Sequence, residues 1–204
     1  MAAMREPAGS RPHMPGYGIR PADEGSGLLP WSWAQRQLQA SRNFWVVTLW
    51  PDGRPHAMPV WGVWDDGLFW FTSAVRSRKA LNIANDPRCT VATEDEQHPV
   101  VLNGEAEIRT LSEEIARVTD LVNEKYGTDY GLDFLDPAKN ATIRVRPDWA
   151  FGVDADDFTD RRRAGRSSSG SRALSRRRRR AATANRQRRR NLYARGVLTT
   201  TQTL

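Results

Sequence analysis

Residues Gly53–Ala80 read GRPHAMPVWGVWDDGLFWFTSAVRSRKA, and the rest of the chain arranges itself around them. From Arg54 to Trp64 the residues are mostly apolar, β-branched or aromatic, the composition of a strand. Asp65-Asp66-Gly67 supplies the Asp-Gly signal of a tight hairpin turn. Leu68-Phe69-Trp70-Phe71-Thr72 is then a second strand. After Ser73 the period changes, and Leu81, Ile83 and Ala84 follow at helical spacing behind Arg76-Ser77-Arg78-Lys79-Ala80. The stretch predicts a hairpin that runs straight into a helix, with Ser77, Arg78 and Lys79 at the helix entrance.

That entrance has the chemistry of an anion site. The first N–H groups of a helix have no intrahelical partner and carry the positive end of its dipole. Arg78 and Lys79 repel that dipole, so stability alone gives no reason to place them there. With an anion present the sign reverses: Ser77 donates a hydrogen bond, Arg78 offers a planar fork and Lys79 a point charge. A solvated charged face is the competing reading of the same three residues.

Working outward, the flanking segments complete a mainly β chain. Leu28–Leu38 reads as a first helix with Pro30 near its start, Ser32 as cap, and Trp31, Ala34 and Leu38 on one face. Phe44–Trp50 is the first strand and Pro51-Asp52-Gly53 its turn. Asn85-Asp86-Pro87 stops the second helix. Cys89–Glu94 and Val100–Thr110 are strands, with Gly104 a bulge candidate. A third helix opens at Ser112-Glu113-Glu114, read as a Ser cap with an acidic first turn. It carries an Ile115, Val118, Leu121, Val122 stripe and ends at Tyr126-Gly127. Ala141–Val153 is the last strand, with Pro147 at an edge or bend. Six short strands, mostly joined by turns, argue for a closed antiparallel sheet rather than parallel βαβ units.

The net charge of +7 is the sum of two unlike parts. Residues 161–204 hold 15 Arg, no Lys and no acidic residue, a charge of +15. The remaining 16 basic and 24 acidic residues give residues 1–160 a charge of −8. Residues 1–26 are read as a flexible leader, with Met4 and Met14 as alternative starts, and 27–160 as the domain. The tail, 161–204, cannot bury enough apolar surface to order itself. It reads either as a basic arm for nucleic acid or, preferred, as GC-rich coding sequence translated out of frame. No run reaches a membrane span, a signal-peptide centre is missing, and the one cysteine excludes an intrachain disulfide. A cytoplasmic protein is the expectation.

Other active-site chemistries find little support. His13, His56 and His98 are scattered, no usual metal-ligand spacing occurs, and His56 reads as structural. Asp154, Asp156 and Asp157 look like a cation-binding cluster, but a solvated strand end is the preferred reading. No nucleophile elbow, P-loop or dinucleotide fingerprint is present. Of the eight Trp, most are assigned to the core; Trp61, Trp64 and Trp70, flanking the hairpin, are the candidates for a stacking surface.

The ordered set Gly53-Arg54-Pro55-His56-Ala57-Met58-Pro59-Val60, the Asp-Gly hairpin, Phe71-Thr72, Ser77-Arg78-Lys79-Ala80 and Arg146-Pro147-Asp148-Trp149-Ala150-Phe151-Gly152 resembles the pyridoxamine 5′-phosphate oxidase-like split-barrel flavoproteins. The resemblance is closer to their actinobacterial branch, which includes enzymes dependent on the deazaflavin coenzyme F-420, and covers roughly Gly27–Thr159. The resemblance implies a six-stranded antiparallel split β-barrel of the FMN-binding type, a homodimer with its site at the subunit interface, and a cofactor that is coenzyme F-420 first and FMN second. It implies a phosphate on Ser77, Arg78 and Lys79 with help from Arg54. It places the cofactor's ring along the backbone of Pro59, Val60 and Trp61 and beside Phe71, Thr72 and Ser73. It assigns no catalytic side chain and no metal. The implied activity is hydride transfer to or from a small organic substrate, with a non-catalytic cofactor carrier as the alternative. The Arg-x-His segment of the vitamin B6 oxidases is not found, which argues against that substrate.

Overall fold

The structure, a computed structural model, describes residues 9–12, 16–18, 28–131 and 135–156. The leader is described only at 9–12 and 16–18, and the tail lies outside the described residues, as does Asp157. Helix α1 is Trp31–Ala40, and strand β1 is Asn43–Leu49. Then come β2 (Pro55–Asp65), β3 (Leu68–Ala74), α2 (Arg78–Asn85), β4 (Arg88–Thr93), β5 (Val100–Arg109), α3 (Ser112–Tyr126) and β6 (Asn140–Gly152). The strands close into an antiparallel barrel in the order β1-β2-β3-β6-β5-β4, with β4 returning to β1. This is the mainly β split barrel expected. Among the described residues no helix is long and apolar enough to cross a membrane.

The alternation of each strand sorts its residues into barrel interior and outer face. Phe44, Val46, Phe69, Phe71, Val91, Leu102, Ile143 and Val145 point inward and are essentially inaccessible to water. Phe69 stands at the centre, 4.7 Å from the Phe44 ring and 6.0 Å from the Phe71 ring, centroid to centroid. Helix α2 packs against β1, β3 and β5 and adds Ala80 and Ile83 to this core. Its Asn82 donates from Nδ2 to Thr48 Oγ1 at 3.0 Å inside the protein. Helix α3 instead covers the outer surface of the β2–β3 hairpin, where Val118 and Tyr126 cluster with Val63 and Trp70.

The turn chemistry follows the sequence closely. Asp66 (φ 46°) and Gly67 (φ 78°) both take left-handed backbone, as a two-residue primed turn requires. The expected bulge is present: Asn103 pairs with Trp149 but Gly104 with Pro147, leaving Asp148 extra. A Cβ at Gly104 would lie 2.2 Å from Arg146 O, so this crossing of β5 and β6 admits only glycine. Two caps differ from expectation. Pro30, not Ser32, occupies the N-cap of α1, and Leu111, not Ser112, that of α3, neither with a side-chain cap. In both, the serine is already helical because the chain enters one turn from a buried anchor, Trp33 or Ile115.

Candidate functional site

The barrel is not laced along its whole length. The β2–β3 ladder runs from Asp65↔Leu68 to Gly62↔Phe71 and stops there. Beyond it, Pro55–Trp61 pair only with β1, and Thr72–Ala74 only with β6. Strands β2 and β3 therefore part company, and Pro59, Val60 and Trp61 stand on one side of the opening with Thr72 and Ser73 on the other. Val60 and Phe71 turn their side chains into the core, so only their backbone borders the opening. Trp61 stays 47% exposed, whereas Trp64 and Trp70 are 8% and 6% exposed. The stacking-surface expectation thus survives only for Trp61: Trp64 faces the core and Trp70 lies under α3.

Two features hold the fork of the opening in place. Gly62 has no room for a side chain, since a Cβ would meet the Phe69 ring at 2.3 Å. Its backbone is clamped from α3: Gly62 N–H donates to Tyr126 Oη at 2.8 Å, and Lys125 Nζ donates to Gly62 O at 2.9 Å. The Tyr126 hydroxyl also lies 2.6 Å from Arg42 O, taking the place of a β1 residue before Asn43. Its ring is stacked on Trp61, centroids 4.4 Å apart and planes within 3°. Burial, with Arg42 nearby, lowers Lys125 to about 8. Tyr126→Phe keeps the stack but leaves the buried Gly62 N–H without its acceptor. The expected loss is about 1–3 kcal/mol of stability, read from urea unfolding; an unchanged midpoint would contradict the clamp.

At the far end of the opening is the entrance of α2. Ser77 is its N-cap, as expected, with Oγ accepting from Ala80 N–H at 3.3 Å. Ser73 Oγ lies 2.9 Å from Ser77 Oγ and accepts from Lys79 Nζ at 3.1 Å. The chain Lys79–Ser73–Ser77 thus ties the end of β3 to the start of α2. Burial lowers the Lys79 pKa. The Arg78 guanidinium lies over the Trp50 ring, 4.0 Å from its centroid. Arg54 covers the same ring at 5.2 Å, but it is exposed and ion-paired with Asp52 at 2.7 Å. His56 stands 5.9 Å from Trp50, and its buried Nδ1 has no hydrogen-bond partner among the described residues.

The charge pattern of α2 is the reverse of that of α3. Helix α3 has Glu113 and Glu114 in its first turn and Lys125 in its last, matching its dipole. Helix α2 has no acidic residue in its first turn. Neither Arg78 nor Lys79 has a carboxylate partner among the described residues. Two cations thus stand at this helix N-terminus, one stacked on an aromatic ring and one half-buried, with no described carboxylate compensating their charge.

Sequence reasoning missed Trp50, which gathers Arg54 and Arg78, and the Lys125–Tyr126 clamp. For Trp50 a signal existed: the Pro-Asp-Gly turn brings Arg54 O back to Trp50 N–H at 2.9 Å. For Tyr126, 64 residues from Gly62, none did.

A family model described as pyridoxamine 5′-phosphate oxidase matches residues 33–154. Among solved structures the chain is similar to the conserved hypothetical protein Rv2991 from Mycobacterium tuberculosis, at 24% identity and a TM-score of 0.59, over 72% of this chain and 95% of that one. It is similar to a putative pyridoxamine 5′-phosphate oxidase from Listeria innocua, at 14% identity and a TM-score of 0.50, over 59% and 95%. An F420 reductase aligns at 21% identity and a TM-score of 0.48, over 57% and 94%. No curated protein matches significantly. The identities to the solved structures speak for the fold alone, whereas the family model spans more than half of the chain, including all six strands. The chain belongs to the pyridoxamine 5′-phosphate oxidase-like split-barrel family.

Proposed function

We propose that this chain is an oxidoreductase that binds a phosphorylated flavin-type cofactor in the opening between β2 and β3. Coenzyme F-420 is preferred and FMN is second. The observation that carries this reading is the pair Arg78–Lys79, uncompensated by any described carboxylate at the α2 entrance. The donor set fits a phosphate: a hydroxyl pair, a guanidinium, an ammonium and the first N–H groups of α2. The parted strand edges fit a flat ring system, with backbone at Pro59, Val60, Trp61, Phe71, Thr72 and Ser73 on its two sides. Arg54 is the weaker phosphate contact because Asp52 already holds it.

When bound, such a cofactor supplies the hydride chemistry, and the protein supplies position and electrostatics. Ser77, Arg78 and Lys79 anchor one end, Trp61 borders the other, and no side chain is assigned a proton transfer. The preference for coenzyme F-420 rests on resemblance to the actinobacterial branch. The exposed Arg76 suits that cofactor's acidic tail. The test is cofactor-loaded protein, with reduced coenzyme F-420 or reduced FMN, mixed with a panel of quinone, nitroaromatic and enone acceptors. Acceptor-dependent cofactor oxidation that falls in the Arg78→Ala, Lys79→Ala variant supports an enzyme. Stoichiometric binding with no turnover of any acceptor would leave a carrier.

The homodimer is part of the same proposal. An apolar row crosses the outside of five strands through register partners: Pro59, Trp45, Ala92, Val101 and Phe151. Trp45 and Trp149 are 50% and 51% exposed, and Trp149 stacks on Phe151. A patch of this kind marks an interface, and the occupant proposed is a second copy of the chain. Trp45→Asp is expected to convert the dimer to a folded monomer in sedimentation velocity. A wild-type chain that sediments as a monomer at tens of micromolar would contradict it.

A further inference from the structure

Beyond Gly152 the chain stays against the sheet. Val153 N–H donates to Pro99 O at 3.3 Å, and Ala155 N–H to Gln97 O at 3.0 Å. These bonds straddle residue 98 on one segment and 154 on the other, so His98 and Asp154 face each other as cross-strand neighbours do. The sequence alone offers Asp154 and Asp156 as a cation-binding cluster or, preferred, a solvated strand end; the fold adds a histidine to them.

The histidine is oriented from behind. His98 Nδ1 lies 3.1 Å from Asp95 Oδ2. Asp95 also accepts the N–H groups of Gln97 and His98 at 2.8 and 3.3 Å, which fixes its carboxylate behind the ring. A carboxylate accepting at Nδ1 favours the tautomer with its proton there, which leaves the Nε2 lone pair facing away from Asp95. What Nε2 faces is Asp154 Oδ1 at 3.7 Å, too far for a hydrogen bond and itself an acceptor. Asp156 N–H donates to the same Asp154 oxygen at 3.1 Å, tying Asp156 to this corner. The ligand atoms of His98, Asp154 and Asp156 all lie within 4.8 Å of one another, on side chains that are not fully solvated at His98 and Asp154.

An imidazole lone pair opposed to a carboxylate, with a second carboxylate beside it, is a donor set that suits a divalent cation. We propose that His98 Nε2, Asp154 and Asp156 form a binding site for a first-row divalent metal ion, Zn²⁺ foremost. One nitrogen and two oxygens with water in the open position suit that ion. Asp95 is the outer carboxylate that fixes the imidazole's tautomer, a role common to metal-binding histidines. The site shares no residue with the α2 entrance. Its position makes it a clasp that fastens the segment after β6 to the β4–β5 turn.

The test uses the full chain, free of any added histidine tag and stripped with a chelator. Calorimetric titration with Zn²⁺ and absorption titration with Co²⁺ are expected to give one equivalent per chain. His98→Ala and Asp154→Asn should each weaken binding by at least about tenfold, and Asp95→Asn by about 10–100-fold. Zn²⁺ should raise the melting temperature of the wild type but not that of His98→Ala, while His13→Ala should behave as wild type. No saturable binding below about 100 μM, or binding that His98→Ala leaves intact, overturns the proposal.

Discussion

Replacing Arg78 and Lys79 together by alanine is expected to weaken binding of coenzyme F-420 or FMN by about a hundredfold or more. Charge-assisted hydrogen bonds contribute about 1.5–3 kcal/mol each, and every 1.4 kcal/mol is a factor of ten in affinity. The two side chains are not equivalent. Arg78 is already ordered by Trp50, so it loses little freedom on meeting a phosphate. Lys79 is half-buried, desolvated and held by Ser73, so its charge gains most from an anion. Neither replacement removes an ion pair from the described structure. The fold should therefore keep its stability, and relief of repulsion at the α2 dipole should raise it slightly. Isothermal titration of both cofactors checks the first part, and thermal unfolding without cofactor the second. A variant that binds as wild type would place the anion elsewhere. One that unfolds would make these cations structural.

The second large effect concerns Cys89, which lies in the barrel wall on β4 with its side chain in the core. Burial, with Asp148 nearby, pushes its thiol up from 9.0 to about 12. Only the thiolate reacts with disulfide or alkylating reagents, and three pKa units cut its population about a thousandfold at pH 8. In native buffer the thiol should be silent, and labelling should proceed at the rate of opening of the β1–β4–β5 wall. Prompt stoichiometric labelling would mean that this wall is open. The same shift has a sign for stability. The folded state holds the proton more tightly, so the contribution is complete below pH 9 and is lost as pH rises toward 12. A Cys89→Ala chain should show a smaller fall in stability over that alkaline window.

The local parts of this fold were legible because their causes are local. Asp66-Gly67 dictates a turn that only positive φ can make, and Gly104 marks where β6 bulges at Asp148 as it passes β5. The helical spacing of Leu81, Ile83 and Ala84 announces the α2 entrance, and Arg78 and Lys79 stand out there because a helix start normally bears the opposite charge. Alternation did not say which Trp would be covered. Trp70 faces outward and is buried only because α3, dozens of residues later, lies on it. The caps at Ser32 and Ser112 failed for a related reason. Propensity favours a hydroxyl at the N-cap, but the packing of Trp33 and Ile115 sets where the chain enters the helix. The His98–Asp154 pairing was equally hidden, since it depends on how far β6 continues along the β4–β5 turn.

The stability of the site's surroundings rests on an ionic ring as well as on the core. Arg109 bridges Glu107 and Glu114 at 2.6 and 2.7 Å, and Arg144 bridges the same two at 2.7 and 3.3 Å. This closed four-member network pins the first turn of α3 to β5 and β6. Through α3 it supports the Lys125–Tyr126 clamp at the other end of that helix, so the fork between β2 and β3 is braced from a rigid element rather than from a loop.

Equilibrium titration of the full chain with coenzyme F-420 and with FMN, followed by tryptophan and cofactor fluorescence, tests the central claim most directly. One equivalent of one of the two is expected to bind per protomer, at about 10 μM or tighter, with inorganic phosphate competing. Failure of both cofactors to bind below about 1 mM would contradict it and leave the α2 entrance with a different anion.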